Sequence, residues 1–146
     1  METSLIKERI DRVINDFNQL PDWEERYKKL IEWGKNSPPL SDEFKTDKYL
    51  IKGCQSQVWL YPDFIHGQVI FRADSDAILV KGIVALLLYV YSTSSPTEIL
   101  ETKPDFLTAI GLTEHLSMNR TNGLKAMIKQ IQLYALAYGA ISGKKI

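Results

Sequence analysis

Cysteine is nearly absent from this chain: Cys54 is the only one in 146 residues, and histidine occurs twice. One thiol cannot close an internal disulfide. With only two scattered histidines beside it, it cannot build a Cys-rich zinc or iron–sulfur cage within one chain. No resident metal, flavin or pyridoxal phosphate is expected. Charge of either sign in excess is also lacking, since 18 basic and 18 acidic residues balance to a formal charge of zero. A nucleic-acid binder usually carries a basic surplus, so none is expected as a partner. Long apolar runs are missing too. The richest stretch, Ala77 to Tyr91, contains Lys81 and is too short for a confident membrane span. No secretory signal is visible, because Met1 leads straight into a charged amphipathic segment. Repeats, low-complexity tracts and linkers are lacking as well. A single domain over 1–146 in a cytoplasmic, reducing compartment is the expectation.

What is present is organised around Gly53-Cys54-Gln55-Ser56-Gln57-Val58-Trp59-Leu60. Gly53 can take φ > 0, which a tight loop often needs. Gln55, Ser56 and Gln57 are uncharged and can donate and accept hydrogen bonds. Val58, Trp59 and Leu60 are β-prone. The spacing places the thiol on a loop that runs into a strand, where a rigid element can present it to a partner. The alternative on position alone is a small buried hydrophobe, the commonest fate of a free cysteine.

Residues 4–20 carry apolar positions at helical spacing, with charges opposite. Pro21-Asp22 interrupts them, with Asp22 as N-cap and Glu25 three residues on. A second helix then runs toward Gly34 to Ser37, ahead of Pro38-Pro39. Residues 38–52 read as a polar connection. Residues 57–73 read as a β-hairpin that turns near Pro62-Asp63 and His66-Gly67, with Trp59 and Ile70 on the face opposite Val58, Leu60, Val69 and Phe71. Ser75 or Asp76 is the candidate cap of a central buried helix over 77–91, from which Lys81 is expected to snorkel to the surface. Ser95-Pro96-Thr97-Glu98 opens a short helix, residues 104–110 suggest another, and a last helix is predicted from about Asn122 to Gly139. Ser142 to Ile146 reads as a frayed basic tail. Helices, then a small antiparallel sheet, then helices indicate α+β.

Four separated segments resemble the SufE family of sulfur-acceptor proteins. They are Trp23 to Tyr27 with Ile31 to Gly34; Gly53 to Trp59; Ala73 to Ala77 running into Val80-Lys81-Gly82; and Leu112 to Leu116 with Arg120 and Gly123-Leu124. The string GCQSQVW is the specific part. The resemblance implies a fold shared with the scaffold IscU, a curved three-stranded antiparallel sheet packed against several helices. It implies that Cys54 accepts persulfide sulfur from a SufS-type cysteine desulfurase, stimulates that enzyme, and passes sulfur to a SufB-containing scaffold for iron–sulfur cluster assembly. Gly53, Gln55, Ser56 and Gln57 would support the loop; Asp76, His115 and Arg120 are candidate partner contacts. A CsdE-like acceptor serving a different desulfurase stays open, as does monomer against homodimer.

The chemistry suits one thiol. A thiolate attacks the outer sulfur of a donor persulfide as in thiol–disulfide exchange, and a single cysteine suffices to accept and pass on one sulfur. An IscU-type scaffold is poor on residues, because its several cysteine ligands are absent. A thiol hydrolase using His66 or His115 is a third reading, but neither histidine sits in a hydrolase signature. Asp74 and Asp76 are expected to cap the following helix. A persulfide open to cytosolic thiols would lose its sulfur by exchange. The Cys54 side chain is therefore expected to rest in the free protein against an apolar pocket formed by Leu50, Ile51, Val58 and Trp59, with Gln55 and Gln57 turned to water or backbone.

Overall fold

The computed structural model describes residues 5–143. Two helices lead, α1 (Leu5–Asn18) and α2 (Trp23–Asn36). Asp22 caps α2 as expected, its side chain accepting from the Glu25 N–H at 3.0 Å. A connection with one 3₁₀ turn at Asp42–Phe44 brings the chain to the cysteine loop. The hairpin follows, β1 (Val58–Ile65) and β2 (Gln68–Ser75), antiparallel with Ile65 opposite Gln68. Its two turn residues, His66 and Gly67, have φ of 52° and 78°. A two-residue hairpin turn of the I′ kind needs positive φ at both. Pro62-Asp63 is not a turn but lies inside β1. Leu60 sends its N–H away from β2 to the Tyr49 carbonyl, so Pro62, two residues on, points its missing N–H toward that same outer edge.

The sheet has two strands, not the expected three. Two straps lie along its edges. Ile51 N–H bonds to the Val58 carbonyl at 2.8 Å, beside the Leu60 bond to Tyr49 at 2.9 Å. On the β2 edge, Val69 and the 93–94 strap exchange two bonds of 2.8 Å. Pro62 offers no N–H to carry the first strap further, so pairing there stays too short to be a strand.

Helices α3 (Ile78–Tyr91), α4 (Pro96–Glu101), α5 (Asp105–Ala109), α6 (Leu112–His115) and α7 (Met118–Gly143) complete the described chain. Ser95 and Glu98 form a full capping box on α4. Ser75 and Asp76 do not cap α3; its N-cap is Ala77, which makes no side-chain cap bond. Their side chains are engaged at the cysteine loop instead. The last helix begins at Met118, a turn earlier than expected. Ser117 Oγ accepts from the Arg120 N–H at 3.3 Å, and this cap lets the weak helix formers Asn119, Thr121, Asn122 and Gly123 enter the first turns. Ser142 and Gly143 belong to α7, while 144–146, with the rest of the expected basic tail, lie outside the described residues.

One apolar cluster joins α1, α2, both strands, α3 and α7. Phe17, Leu30, Val58, Val69, Leu86, Leu87 and Val90 are fully buried in it. Val58, Leu60, Val69 and Phe71 face it, and Trp59 and Ile70 lie on the half-covered opposite face, as the alternation predicts. Among the described residues no helix is long and apolar enough to cross a membrane. Helix α3 crosses α2 at glycines: a Cβ on Gly34 would stand 2.8 Å from the Gly82 nitrogen, and one on Gly82 would collide with the Leu30 carbonyl. Arg9 of α1 closes the other end of α3, donating to the carbonyls of Val90 (3.0 Å) and Ser92 (2.8 Å).

Asp74 is buried at 4% exposure and joins three elements. It accepts from the Leu40 N–H (3.0 Å) and the Ser75 N–H (2.8 Å), and pairs with Lys45 (3.2 Å) and Lys81 (3.4 Å). Lys81 therefore ends on Asp74 rather than reaching out to solvent, and Asp74 is no helix cap. Burial alone would push the Asp74 carboxyl up. The Leu40 and Ser75 amides, then Lys45 and the Lys81 charge, outweigh burial and hold it below its ordinary value.

Two stability outcomes are expected. Gly82→Ala forces a methyl onto backbone that cannot yield, and should lower the unfolding free energy by about 3 kcal/mol or more in a denaturant titration. Asp74→Asn leaves two lysines facing an uncharged group and should cost about 2–3 kcal/mol at neutral pH. Because the folded carboxyl lies below the unfolded value of about 3.9, its stabilisation is present above that pH and lost as pH falls through the folded value. The gap between wild type and variant should accordingly close in acid.

Candidate functional site

The loop between the first strap and β1 carries Cys54. Gly53 turns it with φ of 92°, a conformation that L side chains rarely adopt. The thiol is half-buried, and Sγ lies 3.6 Å from the Gly123 carbonyl oxygen, to which it donates. A cavity of about 90 Å³ opens beside it. Val80 and Ile83 of α3 and Met127 of α7 line its apolar side, with Gly123 behind the sulfur; Gln55, Ser56, Asn119 and Arg120 complete the lining. The expected inward-resting thiol is found, but its neighbours differ. Leu50, Ile51, Val58 and Trp59 do not line this cavity. Ile51 and Val58 are committed to the core and the strap, so the pocket comes from two helices that follow later in the chain.

Gln55 and Gln57 side chains are exposed, as expected, and Ser56 is half-buried. The Gln57 peptide is held at both ends. Its N–H donates to the Asp76 carboxylate at 3.0 Å, and its carbonyl accepts from the Ser75 hydroxyl at 2.8 Å and the Asp76 N–H at 3.3 Å. This clasp joins the C-terminal side of the loop to the end of β2. Burial pushes the Cys54 thiol above its ordinary value.

Among the residues expected to meet a partner, Arg120 is exposed and lines the thiol's cavity, and Asp76 is exposed within the clasp. His115 is elsewhere: its ring stacks on Trp23 at 4.3 Å, its Nδ1 lies 2.9 Å from the Gly111 carbonyl, and it does not line the cavity. His66 occupies the hairpin turn. Neither histidine is placed to act as a base for Cys54. Among the described residues there is no group of three or more His, Cys, Asp or Glu side chains placed to hold a metal ion. Sequence reasoning missed Ile83, Asn119, Gly123 and Met127 as site residues. The available signals were that Gly123 stands near the start of a predicted helix and that it lies, like Val80, in a segment resembling the SufE family.

The clasp should control access to the thiol. Native protein is expected to react with a small alkylating reagent more slowly than the urea-unfolded chain. Asp76→Ala removes one exposed hydrogen bond, worth about 1 kcal/mol, and should raise the native labelling rate about fivefold. An unchanged rate would show that the Gln57 clasp does not restrain the loop.

With that geometry in view, the relatives are informative. A family model for SufE, described as an Fe-S metabolism associated domain, matches residues 11–135. A SufE-like protein of Synechocystis is 36% identical over 138 residues, covering 94% of this chain and 87% of its own. SufE-like proteins of Rhizobium meliloti and Rhizobium etli are 40% and 41% identical over 128 residues, each covering 84% of this chain and 91% and 86% of their own. The solution structure of a hypothetical protein from Thermus thermophilus superposes with a TM-score of 0.74 at 25% identity, covering 88% of this chain and 94% of that one. The match spans both the cysteine loop and the two helices that pocket its thiol, and the chain belongs to the SufE family.

Proposed function

We propose that this protein is a sulfur carrier whose acceptor atom is Cys54 Sγ. Family membership implies a sulfur-acceptor role in iron–sulfur metabolism and partnership with a cysteine desulfurase. The observation that carries the assignment to an atom is that the chain's only cysteine sits on a loop, half-buried in a cavity. In the transfer, the Cys54 thiolate attacks the outer sulfur of the donor's persulfide. The donor's S–S bond breaks, its cysteine leaves as a thiolate, and Cys54 carries Cys–S–SH after protonation. Cleavage of the carbon–sulfur bond belongs to the desulfurase and its pyridoxal phosphate. The chain acts as carrier and activator, not as an enzyme, over a single domain of 1–146.

The preferred partner is a SufS-type desulfurase in the cytoplasm, with a SufB-containing scaffold as the next acceptor; a CsdE-like role with another desulfurase is the variant reading. Gly53 turns the loop, Gln55, Ser56 and Gln57 shape it, and Asp76 and Arg120 stand at its margin where a donor must approach. His115, on the Trp23 face, is a more distant contact.

Incubation with cysteine and a desulfurase should add the mass of one sulfur atom to the intact protein, removable by a thiol reductant. Cys54→Ser should abolish that gain and all sulfur-dependent stimulation of the desulfurase, while changing stability by less than about 1 kcal/mol. Stimulation undiminished in the serine variant would defeat the acceptor assignment.

A further inference from the structure

The pocket treats the two protonation states of the sulfur differently. As a thiol, Cys54 offers its proton to the Gly123 carbonyl, 3.6 Å away. As a thiolate it has nothing to donate, and its charge faces the negative end of a carbonyl dipole beside Val80, Ile83 and Met127. Of the described charged residues, Arg120 alone lines its cavity, and it is exposed to solvent. On the loop, Lys52 is exposed; on α7, Arg120 lies at the cavity's exposed margin and Lys125 is exposed. Toward α3, Lys81 is held by Asp74, and the Asp76 carboxylate, itself negative, is held by the Gln57 N–H. Burial pushes the thiol up in agreement with this arrangement. The two residues pack closely at this point: a Cβ on Gly123 would touch Sγ at 3.4 Å and the Cys54 Cβ at 3.8 Å, in ordinary van der Waals contact, so only a side chain larger than methyl would crowd the sulfur.

We infer that Gly123 is the positioning residue for Cys54 and that it selects the protonated sulfur, so that ionisation expels the cysteine loop from its pocket. The step is a simple one: Cys54–SH gives up its proton to solvent, the hydrogen bond to Gly123 is lost, and the anion leaves the apolar wall for water. Resting on the acceptor reading, this has a consequence for transfer. The nucleophile in sulfur exchange is the thiolate, so the buried state and the reactive state exclude each other. A donor that places positive charge near the sulfur stabilises the thiolate and the open loop together, which is the differential affinity a conformational shift requires.

The test needs no desulfurase. Backbone amide resonances of residues 55–57 and 123, with their heteronuclear relaxation, are followed against pH beside the ultraviolet absorbance of the thiolate. The expected result is a single midpoint, above the ordinary thiol value of about 8.5, at which the thiolate appears and the loop amides become mobile. Cys54→Ser keeps a donor for Gly123 but cannot ionise in this range, and its loop should stay in place throughout. Gly123→Val adds branched carbons beyond a Cβ that already touches Sγ, and should move the midpoint down toward that of the unfolded chain. A thiolate that forms with the loop amides unchanged overturns the inference, as does a loop that releases at the same pH in Cys54→Ser. A midpoint unmoved in Gly123→Val removes Gly123 from the role; if that variant does not fold, the serine comparison decides alone. Failure here leaves the acceptor assignment standing, since that rests on the mass gain with a desulfurase.

Discussion

The backbone-to-backbone crossing of α2 and α3 at Gly34 and Gly82 is the contact on which the rest of the structure depends. With no side chain at either position, the two helices approach until the Gly82 backbone meets the Leu30 carbonyl. That closeness sets how deep α3 lies in the molecule. Val80 and Ile83, which flank Gly82, reach the far side and form part of the wall beside the thiol. A wider crossing would displace that wall and change the space around Cys54. Dispersion and apolar burial fall off within fractions of an ångström, so close packing of the site follows from a contact between two backbones.

The polar part of the design is concentrated in three consecutive residues at the end of β2. Asp74 points inward, where two amides and two lysines compensate its burial. Ser75 and Asp76 hold the Gln57 peptide. Asp74 is paired with Trp59, on the hairpin face turned away from Val58 and Leu60, so this short segment ties the 38–52 connection and α3 to that face while its next two residues clasp the cysteine loop. The three residues read as helix caps because Ser and Asp before an apolar helix usually are. Here the local preference yields to partners distant in sequence, Leu40, Lys45 and Gln57.

A neutral thiol held against a carbonyl is stable and unreactive. On the proposed reading, the residue that exchanges sulfur is stored in its inert state, and its reactivity depends on leaving the pocket. Two restraints of different kinds keep it in. The Gln57 clasp acts on the loop backbone, and the Gly123 carbonyl acts on the sulfur itself. The first restrains the backbone, the second the protonated side chain.

The sequence alone determined the elements whose signals are local. Apolar periodicity placed α1 and α2, a short stretch apolar on nearly every side placed α3, the Ser95 to Glu98 pattern marked α4, and period-two alternation with His66-Gly67 marked the hairpin. The lone Cys54 after Gly53 marked the loop that leads into β1. Each depends on residues a few positions apart, whose geometry the backbone alone dictates. Only the tertiary structure decided what surrounds the sulfur. Val80, Ile83, Gly123 and Met127 lie 26 to 73 residues beyond Cys54, and their meeting is a product of how α3 and α7 pack. It likewise decided that the edge positions of a third strand go to two straps, and that Lys81 turns to Asp74 instead of solvent. Periodicity tells which face of a helix is apolar, but it carries no information about which loop that face will meet.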